Sequence, residues 1–220
     1  ANTAEERFTT GLSFNNNGTK MFITGTENAS ANEFTLSTAF DISTRSFVDA
    51  FDISGTGANE DVAPTSVKFN DDGTKMFTAG FKQFIKEFSL STAFDVSTST
   101  FEQIKDLSTE LTLNKPKDVE FNTDGTKMFI LETSSIYVYT LSTAFDISTA
   151  SYDNYAFSTA DYETSLTGFD FNDDGTVMFI LGTQNDKVHE YYLSTGFDLT
   201  TASHVSSFSI DGKDVQPKGM

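Results

Sequence analysis

The chain lacks cysteine and tryptophan, has only three prolines in 220 residues, and carries 14 Lys and Arg against 32 Asp and Glu. Each shortage excludes something. Without Cys there can be no disulfide framework, no thiolate metal site and no cysteine nucleophile. The formal charge of −18 argues against a nucleic-acid partner, because neutralising phosphates requires a basic face. No stretch approaches the roughly 18 consecutive apolar residues of a membrane-spanning helix. Residues 1–30 show no basic-then-apolar secretion signal, although a chain starting at Ala1 is compatible with a leader already removed. No apolar stripe of helical period runs through the chain, so membrane insertion and an α-helical fold are both unexpected.

What is present is repetition. FNNNGTKMFITG at Phe14–Gly25 returns as FNDDGTKMFTAG at Phe69–Gly80, FNTDGTKMFILE at Phe121–Glu132 and FNDDGTVMFILG at Phe171–Gly182. A second string follows each time: LSTAFDIST from Leu36, LSTAFDVST from Leu90, LSTAFDIST from Leu141 and LSTGFDLTT from Leu193. The glycines Gly18, Gly73, Gly125 and Gly175 recur at intervals of 55, 52 and 50 residues. Fixed periods of this size identify a repeat architecture.

Within each unit, alternating residues such as Val67-Lys68-Phe69 predict a first strand, and an Asx-Gly step predicts a tight reversal. Met76–Ala79 or Met128–Leu131 reads as a second strand buried on both faces. Ile136–Tyr139 and Lys187–Tyr191 alternate as third strands, and Ser46–Ile53 or Ser203–Ile210 completes a fourth. The expected fold is all-β, a β-propeller of four blades with four antiparallel strands each. The single domain 1–220 holds repeats at about 11–54, 66–108, 118–158 and 168–210. Residues 211–220 are read as a closing segment, since Val215–Met220 aligns with the approach to the next inner strand at Lys115–Val119. The alternative is part of a larger ring, by truncation or by two chains joining. Among the 23 Phe, Phe40, Phe94, Phe145 and Phe197 are expected to fill the wedge between neighbouring sheets.

The phrase DGTKMF…LSTAFDIST, running through the whole chain, resembles the tandem repeats of YVTN, NHL and WD-like β-propeller proteins. It is similar above all to uncharacterised marine phage and bacterial proteins built from this phrase. The resemblance implies a propeller and no particular reaction; its suggested settings are adhesion and the virion surface. Val177 for the motif Lys, Glu132 for Gly and Gly196 for Ala depart from the pattern.

The first-to-second and third-to-fourth loops repeat, whereas the second-to-third loops and the interblade connections diverge. Divergent loops on a rigid scaffold are where recognition is usually placed; drift in unconstrained loops is the alternative. The candidate ligand-binding residues are Glu60, Asp61, Phe81, Phe84, Glu110, Asp161, Tyr162, Glu163 and Asp186, with Glu27 also acidic there. Ser13, Lys68, Glu120 and Asp170, followed by Asn15, Asn70, Asn122 and Asn172, are expected to line an axial channel. That channel is read as solvated, or as holding an ion or small polar ligand.

Catalysis finds little in the sequence. His189 and His204 are the sole histidines, predicted on different strands of the last unit, and no G-x-S-x-G is present. Asn-Asp-Asp-Gly at 70–73 and 172–175 lacks the glutamate that completes a calcium loop and is read as a turn. No metal, cofactor or catalytic residue is assigned. The functional expectation is a non-enzymatic binding module for a glycan or protein at a cell or virion surface, as a monomer or homodimer. The alternatives are a polysaccharide hydrolase or lyase using loop carboxylates, or a purely structural component.

Overall fold

In each repeat the Asx-Gly reversal and the STAFDIST corner are built against one another, and the strands follow from that pairing. The computed structural model describes residues 8–55, 63–108 and 115–210. Each repeat is one antiparallel sheet with its strands in chain order, and the four sheets are the blades of a four-bladed β-propeller. Blade one is β1 (Thr9–Phe14), β2 (Lys20–Gly25), β3 (Ser30–Leu36) and β4 (Arg45–Asp52); blade two is β5 (Pro64–Phe69), β6 (Lys75–Gly80), β7 (Phe84–Leu90) and β8 (Ser99–Asp106). Blade three is β9 (Asp118–Phe121), β10 (Lys127–Glu132), β11 (Ser135–Leu141) and β12 (Ala150–Ser158); blade four is β13 (Leu166–Phe171), β14 (Val177–Gly182), β15 (Lys187–Leu193) and β16 (Ala202–Ser209). The helical content among the described residues is short 3-10 turns, such as Ile42–Thr44 before β4. The chain forms two compact units, Ala1–Val119 and Glu120–Met220, and each is described by itself.

The reversals are fixed by side chains as well as glycine. Gly18, Gly73, Gly125 and Gly175 take φ of 68–70°, the left-handed region glycine enters without a Cβ penalty. The Asn15 amide oxygen accepts from the Lys20 N–H at 2.9 Å, and Asn17 accepts from the Thr19 N–H at 3.0 Å. Asn70 with Asp72, Asn122 with Asp124 and Asn172 with Asp174 repeat both contacts. Each Asn expected along the channel therefore has its side chain engaged in its own turn. Ser13 and Lys68 lie in one unit and Glu120 and Asp170 in the other, each on the first strand of its sheet.

The corner phenylalanines do something the repeat pattern did not indicate. Phe40, Phe94, Phe145 and Phe197 adopt φ of 56–59°, although they are not glycine. The N–H of each donates to the turn-glycine carbonyl of its own blade at 2.8–3.0 Å. Its ring lies over that glycine so closely that a Cβ built on Gly73 would stand 2.2 Å from the Phe94 ring. Phe94 and Phe197 also reach the preceding sheet, 6.3 Å from Phe22 and 6.4 Å from Phe129. Phe40 is 59 % exposed, more than its three counterparts. In the last corner Gly196 replaces Ala, and a Cβ there would meet the Asp174 carbonyl oxygen at 2.2 Å.

Between the blades of each unit lies the core. In the first, Phe22, Ala31 and Ile53 pack with Val67, Met76, Phe88, Leu90 and Val96. In the second, Phe129, Ile136 and Val138 pack with Phe169, Met178, Tyr191 and Leu199. A polar staple crosses the first layer: the Lys20 ammonium donates to buried Glu33 and to the Phe94 carbonyl, both at 2.6 Å. The second Glu33 oxygen accepts from the Val96 N–H at 3.0 Å. In the second unit Lys127 reaches the Phe197 carbonyl at 3.3 Å, with Val138 in the place of the glutamate.

Removing one partner of a buried pair leaves the other uncompensated. Lys20→Met is expected to destabilise by about 3 kcal/mol, and Lys20→Met/Glu33→Leu by less than the sum of the single changes, read by denaturant unfolding. The turn carboxylates give a second test. Hydrogen bonds from Thr74, Thr126 and Thr176 hold Asp72, Asp124 and Asp174 below the ordinary value of 3.8. Groups depressed in the folded state contribute stability that is present above the unfolded value and lost as pH falls through the folded one. Asp72→Asn/Asp124→Asn/Asp174→Asn is therefore expected to leave neutral stability nearly intact, since Asn17 makes the same turn. It should flatten the fall in Tm as pH drops below the ordinary aspartate value of 3.8.

Candidate recognition site

Because each blade is an antiparallel meander, the β1–β2 and β3–β4 connections emerge at one end of the sheet. The β2–β3 connection and the exit toward the next blade emerge at the other. The second end carries the divergent sequence, and its chemistry differs from blade to blade.

One position shows this most clearly. Asn32, Lys86, Tyr137 and His189 occupy the same place in the third strand, opposite Ile23, Thr78, Ile130 and Ile180. Asn32, Lys86 and His189 are buried, which a polar group tolerates only with partners. Asn32 donates to the Ile23 carbonyl at 3.2 Å, and Lys86 donates to the carbonyls of Ile53 and Ser54 at 2.9 and 2.6 Å. The Tyr137 hydroxyl meets Glu132 at 3.5 Å. The scaffold keeps a polar slot while the residue filling it changes.

In blade two, Phe81, Lys82, Gln83 and Phe84 line a shallow cleft of about 540 Å³ with Asp106, Ser108 and Lys115. The Lys115 ammonium stands 4.1 Å from the centre of the half-exposed Phe81 ring, a cation–π contact. Phe81 and Phe84 thus line one cleft. Glu60, Asp61, Glu110 and the segment 211–220 lie outside the described residues.

Blade four holds the denser constellation. Tyr162, on the connection entering the blade, stacks on His204 with ring centres 3.8 Å apart and planes 13° apart. Ser207 Oγ lies 2.9 Å from His189 Nδ1 and 3.0 Å from His204 Nε2. One hydroxyl proton cannot serve both rings, so at least one imidazole donates to Ser207. Among the described residues His189 Nε2 is buried with no hydrogen-bond partner. Burial, and then the neighbouring His204, push His189 below its ordinary value, against the opposite pull of Glu163. Tyr191 beneath them is pushed up to about 12, first by burial and then by Tyr162 and Asp161.

Glu163 corrects the expected acidic surface. It is fully buried, and its carboxylate accepts from the N–H groups of Ser165, Gln184 and Asn185 at 2.8, 3.2 and 3.3 Å. Gly182 makes the room: a Cβ there would lie 2.2 Å from Glu163 Cγ. Glu163 ties two loops together rather than facing a ligand. Asp161 is exposed beside Tyr162. Asp186 sits at φ 47° and its carbonyl accepts from the Ile210 N–H at 2.8 Å. The gathering of His189, His204 and Ser207 was not anticipated from sequence. Its signal was the hairpin register, which pairs His189 with Ser207 and Tyr191 with His204. Among the described residues no group of three or more His, Cys, Asp or Glu is placed to hold a metal ion, and no helix is long and apolar enough to cross a membrane.

No protein-family model and no curated protein matches this chain. It is similar in structure to a functionally unknown protein from Desulfotomaculum acetoxidans, with TM-score 0.59 and 16 % identity over 98 % of this chain and 61 % of that one. It is also similar to a protein from Lactobacillus plantarum, with TM-score 0.53 and 12 % identity over 94 % of this chain and 57 % of that one. The chain spans about three fifths of the length of these structures, and the likeness is one of fold.

His189 gives the site a pH signature. A histidine whose folded value is depressed contributes stability that is complete above the unfolded value of 6.5 and declines as pH falls toward the folded value. Thermal midpoints are expected to drop through that window, and His189→Gln should flatten the drop. The His189 ring resonance in NMR should titrate below 6.5.

Proposed function

We propose that this chain is a non-enzymatic recognition module that binds a glycan or protein through the divergent loop end of its blades. One observation carries the reading: turns and corners repeat contact for contact, while the opposite end offers a different chemistry in each blade. Blade two offers an aromatic and ammonium cleft around Phe81 and Lys115; blade four offers Tyr162 over the imidazole and hydroxyl group. Half-exposed rings beside fixed hydrogen-bonding groups suit sugar faces and peptide side chains alike. The repeat phrase, with its resemblance to YVTN, NHL and WD-like repeats and to phage and bacterial proteins, supports a cell-surface or virion setting.

The test is a glycan array and a pull-down from candidate host surfaces, run with the wild type, Phe81→Ala and Tyr162→Ala. A retained ligand whose affinity falls at least tenfold in one variant, with Tm unchanged, is the expected result. Binding that both variants retain in full would refute the loop-end reading. Turnover of a polysaccharide that Asp161→Asn abolishes would replace recognition with hydrolysis.

A further inference from the structure

In all four sheets the pairing of the third and fourth strands shifts register at one point. In blade four the shift falls at Val205, between the His204–Tyr191 and Ser206–Glu190 pairs. It lets His204 and Ser207 meet over β15 although they are three residues apart, a re-aiming that bulges commonly perform. The shift belongs to the common frame, but the side chains beside it do not. Where blade four has His189, Ser207 and His204, blade one has Asn32, Ala50 and Phe47 and blade two has Lys86, Ile104 and Phe101. Blade three has Tyr137, Ala156 and Tyr152. The sheet is thus built three times without a hydroxyl between two imidazoles, and their meeting in blade four is no requirement of folding. All the residues of this cluster lie within the second unit.

The placement of protons in the cluster follows from its geometry. His189 Nδ1 lies 2.9 Å and His204 Nε2 3.0 Å from the Ser207 oxygen, while His189 Nε2 is buried and, among the described residues, has no partner. Orphaned buried N–H groups are rarer than orphaned acceptors. The His189 proton is therefore assigned to Nδ1, from which it donates to Ser207. Burial, which pushes His189 below its ordinary value, keeps that ring neutral. Having accepted from His189, the Ser207 hydroxyl directs its own proton to His204 Nε2. The His204 ring is held from two sides, by Tyr162 stacked at 3.8 Å and by Tyr191 edge-on at 5.3 Å. Ser207 itself is exposed. A hydroxyl open to solvent and aimed at an accepting nitrogen of an oriented imidazole is the arrangement of an activated nucleophile.

We infer that Ser207 is a nucleophilic serine that takes an acyl group from a carboxylic ester, with His204 as its general base and His189 as a positioning residue. The Ser207 oxygen attacks the ester carbonyl as its proton passes to His204 Nε2. An oxygen–carbon bond to Ser207 forms, the bond from the carbonyl carbon to the alcohol oxygen breaks, and His204 returns the proton to the departing alkoxide. The products are acyl-Ser207 and the free alcohol, with no oxidant or further reactant consumed. This single covalent event goes beyond ligand recognition by the loop end and does not rest on it.

The full chain treated with p-nitrophenyl acetate is expected to release nitrophenolate and to carry an acetyl group that peptide mass spectrometry places on Ser207. A fluorophosphonate should likewise phosphonylate Ser207 with loss of fluoride. Ser207→Ala should take neither label there. Ser206→Ala, which removes the neighbouring hydroxyl that donates to Glu190 at 2.8 Å, should label like the wild type. His204→Ala should slow labelling about a hundredfold with Tm unchanged, and added imidazole should restore it, which it would not do for a merely structural residue. His189→Ala should slow labelling about tenfold, and His189→Asn, which keeps a donor at that point, should recover most of the loss. Acetyl groups on lysines alone, no fluorophosphonate adduct on Ser207, or a His204→Ala chain that labels at the wild-type rate would each overturn the assignment.

Discussion

Four phenylalanines held in a left-handed conformation, each seated on a glycine that is also left-handed, are the constraint on which the blades depend. The phenylalanine N–H answers the glycine carbonyl, and the ring fills the space a Cβ would need. Neither residue is comfortable alone: a bulky side chain at positive φ is strained, and an exposed Gly turn is conformationally loose. Together they lock the first hairpin of each sheet to the corner between its third and fourth strands. The 3-10 turn that follows is capped by Asp41 and its counterparts, so the outer strand leaves at a fixed angle.

That local lock sets up the contact between neighbours. With the corner fixed, the Phe94 carbonyl and the Val96 N–H face the preceding sheet, where Lys20 and Glu33 meet them. Around this polar centre the aromatic rings close a dry layer, and dispersion and apolar burial supply most of its free energy. The loop end is thereby released from structural duty. It can exchange Asn32 for Lys86 or His189 without disturbing the frame, provided each finds a partner.

Most of the fold was legible because the code is local. Asx-Gly reversals, alternation in β5 and the almost wholly buried β6 each have a short-range cause, so all four strands of every blade could be placed from sequence. The unit length and strand count then led to a propeller. The role of Phe94 was only half legible. Burial in a wedge follows from hydrophobicity, but the sign of its φ and its seat on Gly73 do not. Phe40 has the same sequence neighbours and a different exposure, since exposure depends on what lies opposite. Glu163 read as a surface acid because two of the three N–H groups that receive it, those of Gln184 and Asn185, come from a loop 21 and 22 residues further on. His189 and Ser207 are 18 residues apart, and only strand register brings them together.

Gly196 shows that the four corners are not interchangeable. Ala39, Ala93 and Ala144 stand at this point in the other corners, yet in the last repeat the Asp174 carbonyl oxygen lies where a methyl group on residue 196 would have to go. The commonest residue of the repeat has become forbidden in one of its own members. Replacing Gly196 by the Ala of the other corners would therefore require the Asp174 peptide to shift. Averaging the four repeats into a consensus would erase an adjustment that the last one now requires.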